Sequence, residues 1–449
     1  MRIAYIAAGA GGMYCGSCIH DNTLAAALQK QGHEVALVPT YTPLRTDEEN
    51  VTEPHLFYGA LNVFLQHKSG LFRHTPRLID NLLDRPGLLR WVSRLGAGTD
   101  PRGLGELSLD VLRGESGHQS KELDKLVAWL RDDYRPDLVQ ITNSLLLGLV
   151  RRIQHELRVP VVVALQGEDL FIQQLREPHR SQVIAELRLR AADADLFIAP
   201  SRYYADHMAE QLALDPARIA VVPLGIQLDG HGTPPQDAAS KAATSEDATS
   251  EKVTDTVTLG FFARICPEKG VHRLVDAFIK LAGGAEGAAL RLRVGGYLGP
   301  RDQPFWQQQE QRLRQAGLGD RFELLGDIDR ADKIRFLRSL DLLCAPTTYR
   351  EAKGLYALEA MANSVPVVLP RHGSFPEMIA DTNGGVLFEP DSEEDLLRCL
   401  RRLIADPVER RALGASGQTA VHRHRSAETM ATATAEVYNK LLATAREQN

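Results

Sequence analysis

Asp341-Leu-Leu-Cys-Ala-Pro346, then Glu351-Ala-Lys-Gly-Leu-Tyr-Ala-Leu-Glu359, then Pro366-Val-Val-Leu-Pro370 is the stretch that decides the fold. The first apolar run, stopped by Pro, reads as a short buried strand. Helix formers follow from Leu355 to Ala362, and the last run reads as a second buried strand. Strand, helix, strand is the repeating unit of a parallel sheet covered by helices. Glu351 then lies on a loop at the carboxyl end of a strand. Glu359, eight residues on, falls about two turns into the helix on the side of Leu355. The helix starts near Gly354, so its free N–H groups and positive dipole end face the crevice where open α/β sheets bind ligands. An anion on those N–H groups, flanked by two hydroxyl-binding carboxylates, describes a sugar joined to a phosphate.

Working outward, the alternation continues. Strands are expected at 258–262, 290–294, 322–325, 342–345 and 365–369, with a helix from Val271. The other half offers strands at 2–8, 34–38, 137–141, 160–165, 195–199 and 219–222, and a helix at 22–31 closed by Gly32. Between the halves, residues 231–256 contain no Leu, Ile, Phe, Tyr or Trp and are rich in Ala, Ser, Thr and acid. Such a segment buries too little to order itself, and it reads as a flexible linker or insertion. The expected organisation is therefore a domain at 1–230, the linker at 231–256, and a second domain at 257–426. Residues 60–130 read as mostly helical and outside any simple β-α unit.

A chain of 449 residues with 44% hydrophobic and 24% charged residues is long enough for two cored domains. A net charge of −6 argues against a nucleic-acid partner. No apolar run reaches membrane-span length, and Met1-Arg-Ile-Ala-Tyr-Ile-Ala-Ala meets Gly9 at once, reading as a buried strand rather than a leader. A cytoplasmic protein is expected, with contact to a membrane face through its substrate left open. Five cysteines, an odd number, do not make a disulfide framework. Cys15-Gly-Ser-Cys18 has redox spacing, but inside a Gly-rich loop it reads as small residues beside a ligand, and no second pair completes a zinc site.

A strand, Gly9-Ala-Gly-Gly12 and a helix also invite a dinucleotide-binding reading. The third glycine position is Tyr14, and the second strand ends Val38-Pro-Thr40 without the acid that holds a ribose. In Phe262-Ala-Arg264-Ile-Cys-Pro-Glu-Lys269-Gly270, by contrast, Arg and Lys five apart on a loop after a strand can both turn to one anion. The acid pairs Asp193/Asp195 and Asp327/Asp329 read as a strand lead-in and a helix cap rather than metal ligands.

The order Glu-x7-Glu, Glu359-Ala-Met-Ala, Pro366-Val-Val and Gly373-Ser-Phe-Pro-Glu377, with Arg264-x4-Lys269-Gly270, resembles the family-4 retaining glycosyltransferases. The resemblance spans nearly the whole chain apart from the linker and residues 40–130. It implies the α/β GT-B fold, two Rossmann-like domains whose parallel sheets face a cleft, with a last helix at 427–445 crossing back onto the first domain. It implies a nucleotide-diphosphate sugar as donor, with no metal and no cofactor, and a glycan, lipid or small-molecule acceptor. Glu351 would hold donor sugar hydroxyls, Glu359 the ribose, Arg264 and Lys269 the diphosphate. Gly354 and Leu355 would offer N–H groups to phosphate, Gly326 and Ile328 would flank the base, and Gly11 and Gly12 would lie beside donor and acceptor. Three positions depart from the family. Gln166 stands where many members carry His, so that Glu168 or Asp169 shares its role. Lys353 replaces a Phe, adding a cation near phosphates or acceptor, and Ser364 replaces a Gly. An epimerase of the same architecture and a non-catalytic nucleotide-sugar binder are the other classes this pattern allows. An epimerase would turn over donor alone, and a binder would show affinity without turnover.

Overall fold

Short Val-, Ile- and Leu-rich runs bounded by Gly, Pro and Asp form strands buried on both faces, as parallel sheets require. The computed structural model describes residues 1–9, 15–53, 103–232, 256–284 and 289–448. The chain clusters into two units, Met1–Leu224 with Ala427–Asn449, and Gly225–Ser426.

The first unit carries β1 (Arg2–Ala7), β2 (Glu34–Pro39), β3 (Leu138–Ile141), β4 (Val161–Ala164), β5 (Leu196–Ala199) and β6 (Ile219–Val221), in the parallel order β2-β1-β3-β4-β5-β6. Its helices are α1 (Gly16–Lys30), α2 (Gly105–Arg113), α3 (Ser120–Trp129), α4 (Val150–Leu157), α5 (Asp169–Gln174), α6 (His179–Ala191) and α7 (Arg202–Leu212). The second unit carries β7 (Val257–Phe262), α8 (Val271–Ala282), β8 (Leu290–Gly295), α9 (Gln303–Gln315), β9 (Phe322–Gly326), α10 (Arg330–Arg338) and β10 (Leu342–Cys344). It continues with α11 (Leu355–Ala362), β11 (Val367–Pro370), α12 (Phe375–Thr382), β12 (Gly385–Phe388), α13 (Glu393–Ala405) and α14 (Pro407–His424). Its parallel order is β12-β11-β10-β7-β8-β9. Two parallel six-stranded sheets flanked by helices are the two Rossmann-like halves of a GT-B fold. In the second sheet β7 has β8 on one side and β10 on the other, so the chain reverses its winding between β7 and β10. Ligands of open α/β sheets bind at that point, off the carboxyl ends of the strands.

The last helix, α15 (Ala427–Gln448), belongs to the first unit. Its Met430, Ala431 and Tyr438 share a core with Leu24, Ala25 and Leu28 of α1. Gln31 Nε2 donates to Glu428 O at 3.0 Å and Thr432 Oγ1 at 2.9 Å.

Three local readings need correction. Helix α1 starts at Gly16, six residues before the expected Asn22, because tertiary contacts outweigh the weak propensity of Gly16 and Ser17. Cys18 is thereby a buried core residue of the helix, not part of a glycine loop, and neither Cys15 nor Cys18 forms a disulfide among the described residues. Strand β12 is not among the expected strands; it begins at Gly385, directly after Gly384. A Cβ on Gly385 would collide with the Val367 carbonyl oxygen, so a glycine is what lets this strand lie against β11. His231 and Gly232 begin the stretch read as a linker, yet His231 is buried, and both meet Asn363 of the second unit, at 2.8 and 3.2 Å. The remainder, 233–255, lies outside the described residues, as do Gly11, Gly12 and residues 54–102. No helix among the described residues is long and apolar enough to cross a membrane.

Candidate active site

Two glycines bring the second unit's charged loops together. Gly270, at φ +78°, is the N-cap of α8, and a Cβ there would collide with the Pro346 carbonyl oxygen. The loop after β7 therefore presses onto the loop after β10, and Thr348 N donates to Glu268 O at 2.9 Å. Gly373, at φ +62°, leaves no room for a Cβ beside the backbone of Glu351, and Ser374 N donates to Glu351 O at 2.8 Å. The Gly373-Ser374 motif is thus a buttress for the Glu351 backbone. Gly354, at φ +78°, caps α11 in the left-handed region that excludes most other residues.

Between these loops Lys269 Nζ lies 2.5 Å from Glu351 Oε2. Two phenols complete the group. Tyr349 accepts from Lys269 Nζ at 2.6 Å and donates to Glu351 Oε2 at 2.7 Å; Tyr356 donates to the same oxygen at 3.3 Å. The Lys269 ammonium also lies over both rings, 5.1 and 5.3 Å from their centroids. Burial alone would raise the Glu351 carboxyl. The Lys269 charge and hydrogen bond, the Tyr349 hydroxyl and the Lys353 charge outweigh it and hold the group below the usual carboxylate range. Burial, then the Glu351 charge, pushes both phenols well above 10. The site thus holds an ionised carboxylate against an ammonium at the N-terminal ends of two helices. Arg264, exposed, stays outside this knot, with its Nε on Cys266 Sγ at 3.3 Å. Lys353, two residues after Glu351, is buried.

Glu359 is buried within α11 and paired with Lys333 of α10, 2.5 Å from Nζ to Oε1. Asn363 donates from Nδ2 to Glu359 O at 2.8 Å, and its Oδ1 accepts from Arg338 Nε at 3.3 Å. The buried His231 imidazole completes this layer, and its pKa is pushed down to about 3 by burial and then by Arg330, Lys333, His422 and Arg338. Gly326, at φ +66°, ends β9 and accepts from Gly296 N at 2.8 Å; Ile328 is half-buried on the loop that follows. Asp329 caps α10 through Asp332 N at 2.8 Å, and among the described residues no cluster of three or more metal-ligating side chains occurs.

In the first unit, Gln166 follows β4. Its Nε2 donates to Asp21 Oδ1 at 2.6 Å and Thr142 O at 2.9 Å. Asp21 also accepts from Tyr5 at 2.5 Å and from Thr142 Oγ1. Glu168 and Asp169, expected to share a substrate role with Gln166, are buried acceptors. Glu168 receives Ser144 Oγ at 2.7 Å and Gln166 N at 2.6 Å, and Asp169 receives Tyr204 at 2.9 Å. Asp195 receives Val161 N at 2.7 Å and Asp193 pairs with Arg151, so that acid pair braces the sheet.

Sequence reasoning missed Tyr349, Tyr356, Lys333 and Asp21. Tyr356 lies inside the stretch that drew attention, two residues beyond Gly354. Lys333 carries no signal, being one lysine on an otherwise ordinary charged helix.

The two sheets make this an α/β protein of the GT-B type, and comparison with known proteins gives its class. Residues 22–225 match the model of the glycosyl transferase 4-like domain, and residues 243–420 that of the glycosyl transferases group 1. A glycosyl transferase model thus matches most of each unit, and the chain is a glycosyltransferase. The D-inositol 3-phosphate glycosyltransferase of Segniliparus rotundus is 30% identical over 226 residues, 50% of this chain and 48% of that protein. The one from Actinosynnema mirum is 28% identical over 315 residues, 68% of this chain and 69% of that protein. The match spans about half the length of the first such relatives. Sucrose-phosphate synthase from Thermosynechococcus elongatus superposes with a TM-score of 0.68 at 18% identity, covering 99% of this chain and 100% of that one. Anabaena HepE, solved in complex with UDP, gives 0.66 at 19% identity, covering 98% and 100%. These likenesses carry the fold.

Proposed function

We propose that the chain is a retaining glycosyltransferase that moves a sugar from a nucleotide-diphosphate sugar to an acceptor hydroxyl without a metal ion. The observation that carries this reading is the Lys269–Glu351 pair at the N-terminal ends of α8 and α11. Breaking a sugar–diphosphate bond leaves negative charge on the departing phosphate and positive charge on the anomeric carbon. Lys269, Arg264 and the free N–H groups at Leu355 and Val271 stabilise the first, and fixed donors of this kind are the largest single term in many enzymes. Glu351 receives the sugar's hydroxyls and Glu359 the ribose, with the base against Gly326 and Ile328. Attack comes from the face the phosphate leaves, so configuration is retained. The acceptor is a glycan, lipid or small-molecule alcohol, and the D-inositol 3-phosphate named for the relatives is the first to try.

A thermal-shift screen of UDP-glucose, UDP-N-acetylglucosamine, GDP-mannose and ADP-glucose, with their nucleoside diphosphates, tests the reading. A ligand at a hundred times its Kd stabilises the native state by about 2.7 kcal/mol. Transfer from the winning donor should survive EDTA. Loss of transfer with EDTA, restored by a divalent ion, refutes the metal-free part; stabilisation by no nucleotide at all refutes the whole.

A further inference from the structure

Glu351 is held by one oxygen. Among the described residues, Lys269, Tyr349 and Tyr356 all converge on Oε2, at 2.5, 2.7 and 3.3 Å. A carboxylate offers about four acceptor positions over its two oxygens, and both oxygens are acceptors only. Three donors on Oε2 leave Oε1 to accept from a ligand, and they fix the carboxylate's rotation about its terminal bond. Each phenol does this from a braced position. Tyr349 is clamped between Lys269 and Glu351, and Tyr356, 8% exposed, packs edge-on against Phe375 with centroids 6.5 Å apart. Phe375 belongs to the same segment whose Gly373 and Ser374 brace the Glu351 backbone.

We propose that Tyr349 and Tyr356 are positioning residues for sugar recognition: their hydroxyls turn the Glu351 carboxylate so that Oε1 accepts the hydroxyl hydrogens of the donor sugar. The inference rests on the donor-binding reading above. Tyr349 also accepts from Lys269 Nζ, which serves the diphosphate. The diphosphate is common to nucleotide sugar and nucleoside diphosphate, so that effect cancels in their ratio and what remains acts on the sugar. A merely structural role would weaken nucleoside diphosphate and nucleotide sugar together; this role separates the two. Tyr349, with the shorter bond and the contact to Lys269, carries the larger share.

The test compares Tyr349→Phe, Tyr356→Phe and the double variant with the wild type. Calorimetry gives Kd for the nucleotide sugar that wins the screen above and for its own nucleoside diphosphate. Phe keeps each ring and its contact with the Lys269 ammonium, so only the hydroxyl is removed. The ratio of the two constants should move about tenfold against the nucleotide sugar in the double variant, as expected for hydrogen bonds to a charged group. Tyr349→Phe should move it about fivefold and Tyr356→Phe about twofold, which keeps the test open should the double variant fold poorly. Single variants with the wild-type ratio overturn the inference and leave the donor-binding reading standing. A wild type that binds none of the nucleotide sugars in the panel overturns both.

Discussion

Lys269→Met removes the ammonium from a pair whose side chains are 16% and 8% exposed. Truncating one partner of a buried pair strands the other charge and typically costs about 3–5 kcal/mol. Here the residual exposure of Lys269 admits water, and the two phenols remain on Oε2, so about 2–3 kcal/mol is expected. For a unit of this size that lowers Tm by about 5–10 °C. The loss should depend on pH with a definite sign. Glu351 is held below its ordinary value in the folded protein, so the pair's contribution is full above the unfolded value of about 4.3 and disappears as pH falls through the folded one. In Lys269→Met the stranded carboxyl is raised instead, so the deficit should shrink as acid neutralises it. Urea unfolding at several pH values measures this. Lys269→Met with Glu351→Gln should be more stable than Lys269→Met alone, because no stranded charge remains. Arg264→Met, at an exposed side chain with no carboxylate partner in this knot, is the control and should change stability by about 0.5 kcal/mol or less. A Lys269→Met variant as stable as Arg264→Met at neutral pH refutes the argument.

Glu351→Gln should lower kcat by more than it alters donor KM, because contacts to the reacting sugar differ between ground and transition state; equal effects on both parameters count against that role. Lys333→Met should raise donor KM about tenfold or more at near-constant kcat, since it strands the Glu359 carboxylate that receives the ribose; an unchanged KM removes Glu359 from the donor site. His231 sits at about 3 in the fold against about 6.5 unfolded, so the unfolded state binds the extra proton between those values and stability falls as pH drops through that window. From this group the second unit should be about 2 kcal/mol less stable at pH 5 than at pH 7.5, and His231→Gln should flatten that slope in urea titrations. Deleting about fifteen residues within 233–255 should barely move Tm, because loop closure costs grow only logarithmically; a large drop shows that the segment packs on a domain.

The architecture was legible because parallel sheets write themselves as short apolar runs separated by turn residues. Eleven strands of the two sheets, such as β1 and β7, fall within two residues at each end of where apolar runs place them. The failures have one cause. At α1 and β12 a contact between segments distant in sequence overrode the local signal. Asp21, buried on α1, receives Tyr5, Thr142 and Gln166, which pulls the helix start back past glycine and serine. Gly385 has little strand propensity, and the nearness of Val367 explains a strand beginning there.

The site was legible as a set of chemical types but not as a set of pairs. Spacing marked Arg264 and Lys269 as anion-binding cations and the two glutamates as hydroxyl acceptors, each assigned to a ligand and none to support of the fold. In the folded chain Glu351 and Glu359 each have a lysine of their own, Lys269 and Lys333. A site with room for a diphosphate and a sugar gathers charges that repel or are stranded when the ligand is away. Matching one ammonium to each carboxylate keeps both groups ionised, satisfied and already oriented, so little reorganisation is left for the binding step. Such partners leave no trace in spacing, because they come from whichever helix the fold places alongside. Tyr356 and Lys333 are ordinary residues on ordinary helices until β7 and β10 are set side by side. The same pairing gives the two lysines a second duty: neutralising Glu351 by substitution frees Lys269 for phosphate, so Glu351→Gln should bind nucleoside diphosphate at least as tightly as the wild type while transferring sugar more slowly. Weaker diphosphate binding in that variant would show that the pair does not exchange its ammonium with the ligand.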